Sequence, residues 1–348
     1  VRVLLARPDH LGDVLVTLPA LATLRAVAPG AVMTYAVPPA LVEVCSRCPY
    51  VDVVVPVAFP PLDRPWRSAG DPAVAAAAAR LGGPYDLAVL PRPDDPSSGA
   101  LSAAAGVPVR AGFAMPRTAP FLTHLVPPPE VDRPVVAATR DVLAAGLAAL
   151  GRPAPPLVPP IGGAIVPTDG DHAEAAGLLG PGSRPVVVHP GSGWPVKNWP
   201  PERWGEVARR LYACFGVRSV VAGTAAERPL VDRAVAASGG TAYGVAGRLS
   251  ACGLAALHAR ACVVIGVDSG AIHLAAAVGT PTVALYGPGN ARQYAHDGEH
   301  HRVVRLDLPC SPCGTFERPP CGRPVEPACV TSVTVDVFTE TVSDLLGG

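Results

Sequence analysis

Residues 262–287, CVVIGVDSGAIHLAAAVGTPTVALYG, decide the fold. An apolar, β-branched run at 262–267 stops at Asp268-Ser269-Gly270. A segment of helical period follows, Gly279 and Pro281 break it, and a second apolar run begins at Thr282. Strand, polar loop, helix, strand is the pattern of a parallel βαβ unit, because parallel neighbours need a crossover between them. Working outward, the same alternation recurs. PVVVH at 185–189 and VRSVVA at 217–222 are further strands of this half. VRVLLA, AVMTYAV, VDVVVP and DLAVLP are the strands of the N-terminal half, with helices over 17–27 and 132–150. The chain is therefore expected to be α/β with two doubly wound parallel sheets.

The stretch RPAPPLVPPIGGAIVPT at 152–168 is rich in Pro and Gly and carries no sustained period. It separates an N-terminal domain over 1–155 from a C-terminal one over 169–332, with the linker at 156–168 and a last helix over 333–348. The chain has 348 residues and a mean hydropathy of +0.32, enough apolar content for two cores. Its apolar runs are short, so no membrane span is expected. VRVLLA runs at once into the charged RPDHLGD, unlike a secretory leader, which points to a cytoplasmic protein, with peripheral placement at the inner face of the membrane left open. Formal net charge is zero, so nucleic acid is not an expected partner.

Of the 28 basic residues only Lys197 is a lysine. In a composition that otherwise uses arginine for positive charge, a retained lysine suggests a place where a compact ammonium is needed, against the plainer reading of one surviving surface lysine. Lys197 belongs to HPGSGWPVKNWP at 189–200, directly after a strand, where Gly191, Ser192 and Gly193 would let backbone approach a phosphate. The segment has no Walker ending, and no G-x-G-x-x-G follows the first strand, which argues against a nicotinamide dehydrogenase. Asp268, Ser269 and Gly270 open a helix whose first amides and dipole favour an anion, with His273 one turn inside. Glu227 follows the strand VRSVVA and suits ribose hydroxyls, or a solvated loop. Near the start, HLGD at 10–13 places His10, Gly12 and Asp13 after the first strand, although Asp13 equally suits the start of a helix.

HLGDVLVTLPAL, HPGSGWPVKNWP and DSGAIHLAAAVGTPTVALYGP, in this order and spacing, resemble glycosyltransferase family nine, the heptosyltransferase family of lipopolysaccharide inner-core assembly. The resemblance implies a GT-B fold, two Rossmann-like domains facing across a cleft. It also implies inverting transfer of a sugar, heptose first among candidates, from a nucleotide diphosphate donor such as ADP-heptose, with no cofactor or metal required. Asp13 matches the general base. Lys197 and the amides at Asp268, Ser269 and Gly270 would stabilise the departing diphosphate, Ser192 and His273 would contact phosphates, and Glu227 and Asp268 would hold hydroxyls. On the acceptor side stand His10, Gly12, Arg92 and Arg117, Arg92 lying in PRPDDPSSGAL at 91–101, which matches the family only loosely. The acceptor is expected to contain a sugar, lipid-linked or small. Alternatives on the same fold are a nucleotide-sugar-binding protein without turnover and a sugar-nucleotide epimerase.

Cys310, Cys313, Cys321 and Cys329 form C-x2-C-x7-C-x7-C. The first pair suits a zinc knuckle, but the later spacing is not a standard finger, so reduced or locally bridged thiols are favoured over a structural zinc.

Overall fold

A computed structural model describes residues 1–61, 63–153, 161–180 and 182–347. The chain divides into two compact units, Val1–Pro160 and Ile161–Gly348. Of the expected linker, 156–160 lies outside the described residues; Ile161, Ala164 and Ile165 beyond it are buried, and Ile165 N–H donates to Ala277 O at 3.0 Å.

The first unit carries strands β1 (Arg2–Ala6), β2 (Val32–Val37), β3 (Val53–Pro56), β4 (Leu87–Leu90), β5 (Val109–Phe113) and β6 (His124–Val126) in one sheet of order β3-β2-β1-β4-β5-β6. Every pairing is parallel, with Val3 opposite both Met33 and Leu87. The central strands β1 and β4 are buried from both sides, as a parallel sheet with helices on each face requires. The second unit carries β7 (Val186–His189), β8 (Ser219–Val221), β9 (Ala242–Gly244), β10 (Val263–Val267), β11 (Thr282–Leu285) and β12 (His301–Val304), in the order β12-β11-β10-β7-β8-β9. Numbered within its own unit, this is the same 3-2-1-4-5-6 order as in the first sheet. Both expected doubly wound sheets are thus present, and each has its chain reversal between its first and fourth strands, β1/β4 and β7/β10. Ligands of such sheets collect there, outside the carboxyl ends of the strands.

β5, β6, β9 and β12 are additions to the strands read from the sequence. β9 is only AYG and β12 is HRVV, and both stand at sheet edges, where a short strand needs little apolar pattern. The four helices read from the sequence are present at Leu18–Val27, Val135–Ala149, Gly270–Ala277 and Val335–Gly347. Val335–Gly347 buries Phe338 against Trp199 and Trp204, with ring centroids 5.6 and 5.0 Å away, and the two indoles meet at 4.9 Å. Trp204 opens the core face of the helix Pro201–Phe215, which Gly216 terminates at φ 68°. This packing anchors the segment that leads from β7 past Lys197.

Candidate functional site

In the first unit the β1 end leads into Arg7 and Asp9, both buried, and then into the short helix Leu11–Leu15. Arg7 Nε lies 2.9 Å from Asp9 Oδ2, an ion pair without hydrogen-bond alignment, and Arg7 Nη2 lies 3.8 Å from Asp13 Oδ1. Arg92, from the loop after β4, pairs through Nη1 with Asp9 Oδ1. Two guanidiniums and two carboxylates therefore meet at the β1/β4 reversal, and the charges balance. Asp13 is the carboxylate left partly open, its side chain 29% exposed against 1% for Asp9. His10 is exposed at the N-cap position and makes no side-chain cap, while Gly12 is buried. Arg117 pairs with Asp94 instead: Nη1 lies 3.5 Å from Oδ2, and its backbone N–H donates to Oδ1 at 3.1 Å. The neighbouring Asp95 caps the helix Pro96–Ala104 by accepting from the Ser97 and Ser98 amides, and burial raises its pKa.

In the second unit Asp268 is the hub. Lys197, at the end of the turn Pro195–Lys197, brings Nζ to 2.6 Å from Asp268 Oδ2, with both side chains largely buried. The ammonium also stands 4.4 Å from the centre of the Phe316 ring, which Trp194 flanks at 5.7 Å. A compact ammonium between a carboxylate and an aromatic face is a position that a planar guanidinium would not fill the same way. Tyr286 neighbours Asp268, and its phenol is held well above its ordinary pKa by burial first and then by that carboxylate. Gly289 packs on Asp268 Oδ2 so closely that a Cβ there would collide. Ser269 stands at the N-cap position of the helix Gly270–Ala277 without capping it through its side chain, and among the described residues its buried Oγ has no hydrogen-bond partner. A donor or acceptor left unmade in this way is costly, and a ligand oxygen would relieve it. His273, buried one turn inside, places Nε2 3.9 Å from Asp268 Oδ1 and Nδ1 2.8 Å from His296 Nε2.

The start of the loop after β7 meets Glu227, from the loop after β8. Glu227 forms a capping box, its Oε2 accepting from Thr224 N–H and Oγ1 at 2.8 and 2.9 Å. Its Oε1 lies against Gly191, where any Cβ would strike the carboxylate. Ser192 is a loop staple: its hydroxyl is 2.8 Å from Trp194 O and 3.0 Å from Asn198 Oδ1 and accepts from Trp194 N–H.

The structure thus joins Lys197, Asp268 and His273, sets Ser269 and Gly270 at the adjoining helix start, and joins Glu227 to Gly191. It links Asp13 to Arg92 through Arg7 and Asp9, and it leaves Arg117 in a separate pair. The sequence reading missed Arg7, Asp9, Tyr286, His296 and Phe316. RPD directly after a strand was an available signal for Asp9; Phe316, amid prolines and cysteines, had none. As for the cysteines, burial and the neighbouring thiols of Cys313, Cys310 and Cys321 push Cys329 up to about 11. Among the described residues, no three of these sulfurs lie within 4.8 Å of one another. Nor is any helix among the described residues long and apolar enough to cross a membrane.

Three comparisons place this geometry. Lipopolysaccharide heptosyltransferase 1 of Pseudomonas aeruginosa is 30% identical, across 90% of this chain and 86% of that one. The family 9 glycosyl transferase of Veillonella parvula superposes with a TM-score of 0.80 at 22% identity, covering 99% of this chain and 97% of its own. The E. coli heptosyltransferase WaaC, solved with ADP-2-deoxy-2-fluoro heptose, gives 0.72 at 23% identity, covering 99% of each chain. Two doubly wound units on this plan give the protein the GT-B fold. Within that fold class the chain belongs to glycosyltransferase family 9, the heptosyltransferases, whose pattern matches residues 74–319.

Proposed function

We propose that the chain transfers a heptose from a nucleotide diphosphate sugar, ADP-heptose in the first place, to a hydroxyl of a sugar-containing acceptor, with inversion at the anomeric carbon. The observation that carries this reading is the Lys197–Asp268 pair beside the start of the helix Gly270–Ala277, where Ser269 Oγ is buried without a partner among the described residues. The E. coli relative solved with ADP-2-deoxy-2-fluoro heptose supports ADP-heptose as the donor to test first.

In the reaction Asp13 accepts the proton of the acceptor hydroxyl as the oxygen attacks the anomeric carbon opposite the leaving diphosphate. Asp9 offsets one of the two guanidinium charges of Arg7 and Arg92, which weakens their combined pull on the partly open Asp13 carboxylate. His10 and Gly12 shape the acceptor side, and Arg92 and Arg117 supply positive charge for an acidic acceptor. Negative charge grows on the diphosphate as it departs. Lys197, the amides of Ser269 and Gly270 and the helix dipole meet that charge, the role a divalent metal takes elsewhere, so none is required. Ser269 Oγ and His273 reach phosphate oxygens. Ser192 holds the loop at Gly191 in shape, and Glu227 Oε1 and Asp268 accept from donor hydroxyls.

A thermal-shift screen against ADP-, GDP-, UDP- and dTDP-sugars tests the donor assignment, since a ligand of the native state alone raises its melting temperature. The expected result is a shift with ADP-heptose that falls at least about tenfold in apparent affinity in Lys197→Ala, the loss of one charge-assisted contact to phosphate. A shift that Lys197→Ala leaves untouched would remove the diphosphate from this site.

A further inference from the structure

His296 lies outside every segment that points to the reaction, yet it touches the donor group directly. It comes from the loop that follows the short helix Ala291–Tyr294, and its Nε2 stands 2.8 Å from Nδ1 of His273. The rings meet edge to face at 4.9 Å, and His301 follows His296 at 5.5 Å, its own Nδ1 2.9 Å from Thr282 Oγ1. Burial, then the neighbouring imidazoles, keeps His296 well below the ordinary histidine pKa. Between two imidazoles joined nitrogen to nitrogen a single proton bridges the contact, so one ring donates and the other accepts. The far nitrogen of His273 decides which. Its Nε2 faces the Asp268 carboxylate at 3.9 Å, and a lone pair there would point at negative charge, whereas an N–H would be attracted. With the proton on Nε2, Nδ1 of His273 carries the lone pair and must accept.

We infer that His296, donating its Nε2–H to Nδ1 of His273, fixes His273 as the Nε2–H tautomer and so makes it a neutral hydrogen-bond donor aimed at the donor diphosphate beside Asp268 and Lys197. The use made of that donor rests on the proposed function; the tautomer itself does not. A second imidazole thereby does what a carboxylate or carbonyl does for many functional histidines, setting which nitrogen carries the proton. His296 is a positioning residue, because it acts through His273.

Long-range 1H–15N correlation spectra of the protein labelled at histidine report the tautomer of each ring without any substrate. Wild type is expected to show His273 protonated at Nε2. In His296→Leu the Nδ1–H form should gain at least a comparable population. His296→Gln keeps an N–H near the original position and should restore Nε2–H. Alongside, kcat/KM for the donor should fall about tenfold or more in His296→Leu and recover most of that loss in His296→Gln. His273 found as Nδ1–H in wild type would overturn the inference, as would a His273 tautomer indifferent to both substitutions. Should His296→Leu not fold, the wild-type and His296→Gln spectra still decide it. Correct tautomers in a protein that shows no thermal shift with any nucleotide sugar would instead count against the donor reading alone.

Discussion

Asp9 shows how one buried side chain organises the first site. It sits between Arg7 and Arg92 with its side chain 1% exposed, and it cancels one of two guanidinium charges that would otherwise bear on Asp13. Asp9→Asn leaves those cations partly buried with one anion fewer, a loss of roughly 3 kcal/mol by the usual cost of breaking a buried pair. The melting temperature of the first unit should drop by about 5–10 °C in a calorimetric scan. An unchanged melt would show the network to be energetically idle. At this scale the sequence was legible where a motif residue stands at a strand end: Asp13, Lys197, Asp268 and Glu227 all lie where strand-to-loop transitions put them. Phe316 and His296 were not legible, because their partners are 119 and 23 residues away and only folding brings them together; for Asp9 the RPD after β1 was a signal, but its pairing with Arg92, 83 residues away, was not.

At the scale of elements, the strands that matter most were also the plainest in sequence. β1, β4, β7 and β10 flank the two reversals and are buried on both faces, so they read as unbroken apolar runs. The edge strands β6, β9 and β12 lack such runs, whereas β3, also at an edge, keeps VVVP and was read from the sequence. The helix Val335–Gly347 was legible by its period, but its purpose came from packing: Phe338 packs against both Trp199 and Trp204, which follow the Lys197 turn. Phe338→Ala should cost about 3–5 kcal/mol, the range for an aromatic removed from a packed core. If the turn at Lys197 depends on this anchor, the variant also loses donor affinity at temperatures where it is still folded. Urea titration and nucleotide binding measured on one preparation check both effects. A stability loss below about 1 kcal/mol would contradict the packing role.

For the whole molecule, buried imidazoles make stability depend on pH. His189, at the end of β7, and His258 meet Nε2 to Nε2 at 2.8 Å, and burial holds His189 down to about 4 and His258 well below its ordinary value. In the folded protein these groups stay neutral while the unfolded chain binds protons from about pH 6.5 downward. Stability is therefore full above about pH 6.5 and falls as pH drops through 6.5 toward 4, by roughly 2 kcal/mol at pH 5 from His189 alone. Melts from pH 7.5 to 5 should decline accordingly. A flat profile over that window would mean that the pair already carries a proton in the native state.

The central claim is that Asp13 is the base of a transfer from a nucleotide sugar, and release of ADP from ADP-heptose in the presence of acceptor tests it most directly, with donor binding measured on the same protein. Asp13→Asn is nearly isosteric and cannot take a proton at neutral pH. The account predicts that this variant binds the donor within about threefold of wild type and loses kcat by at least about 100-fold, the lower range for a general base. Turnover that survives Asp13→Asn, or that falls only because the donor no longer binds, would contradict it.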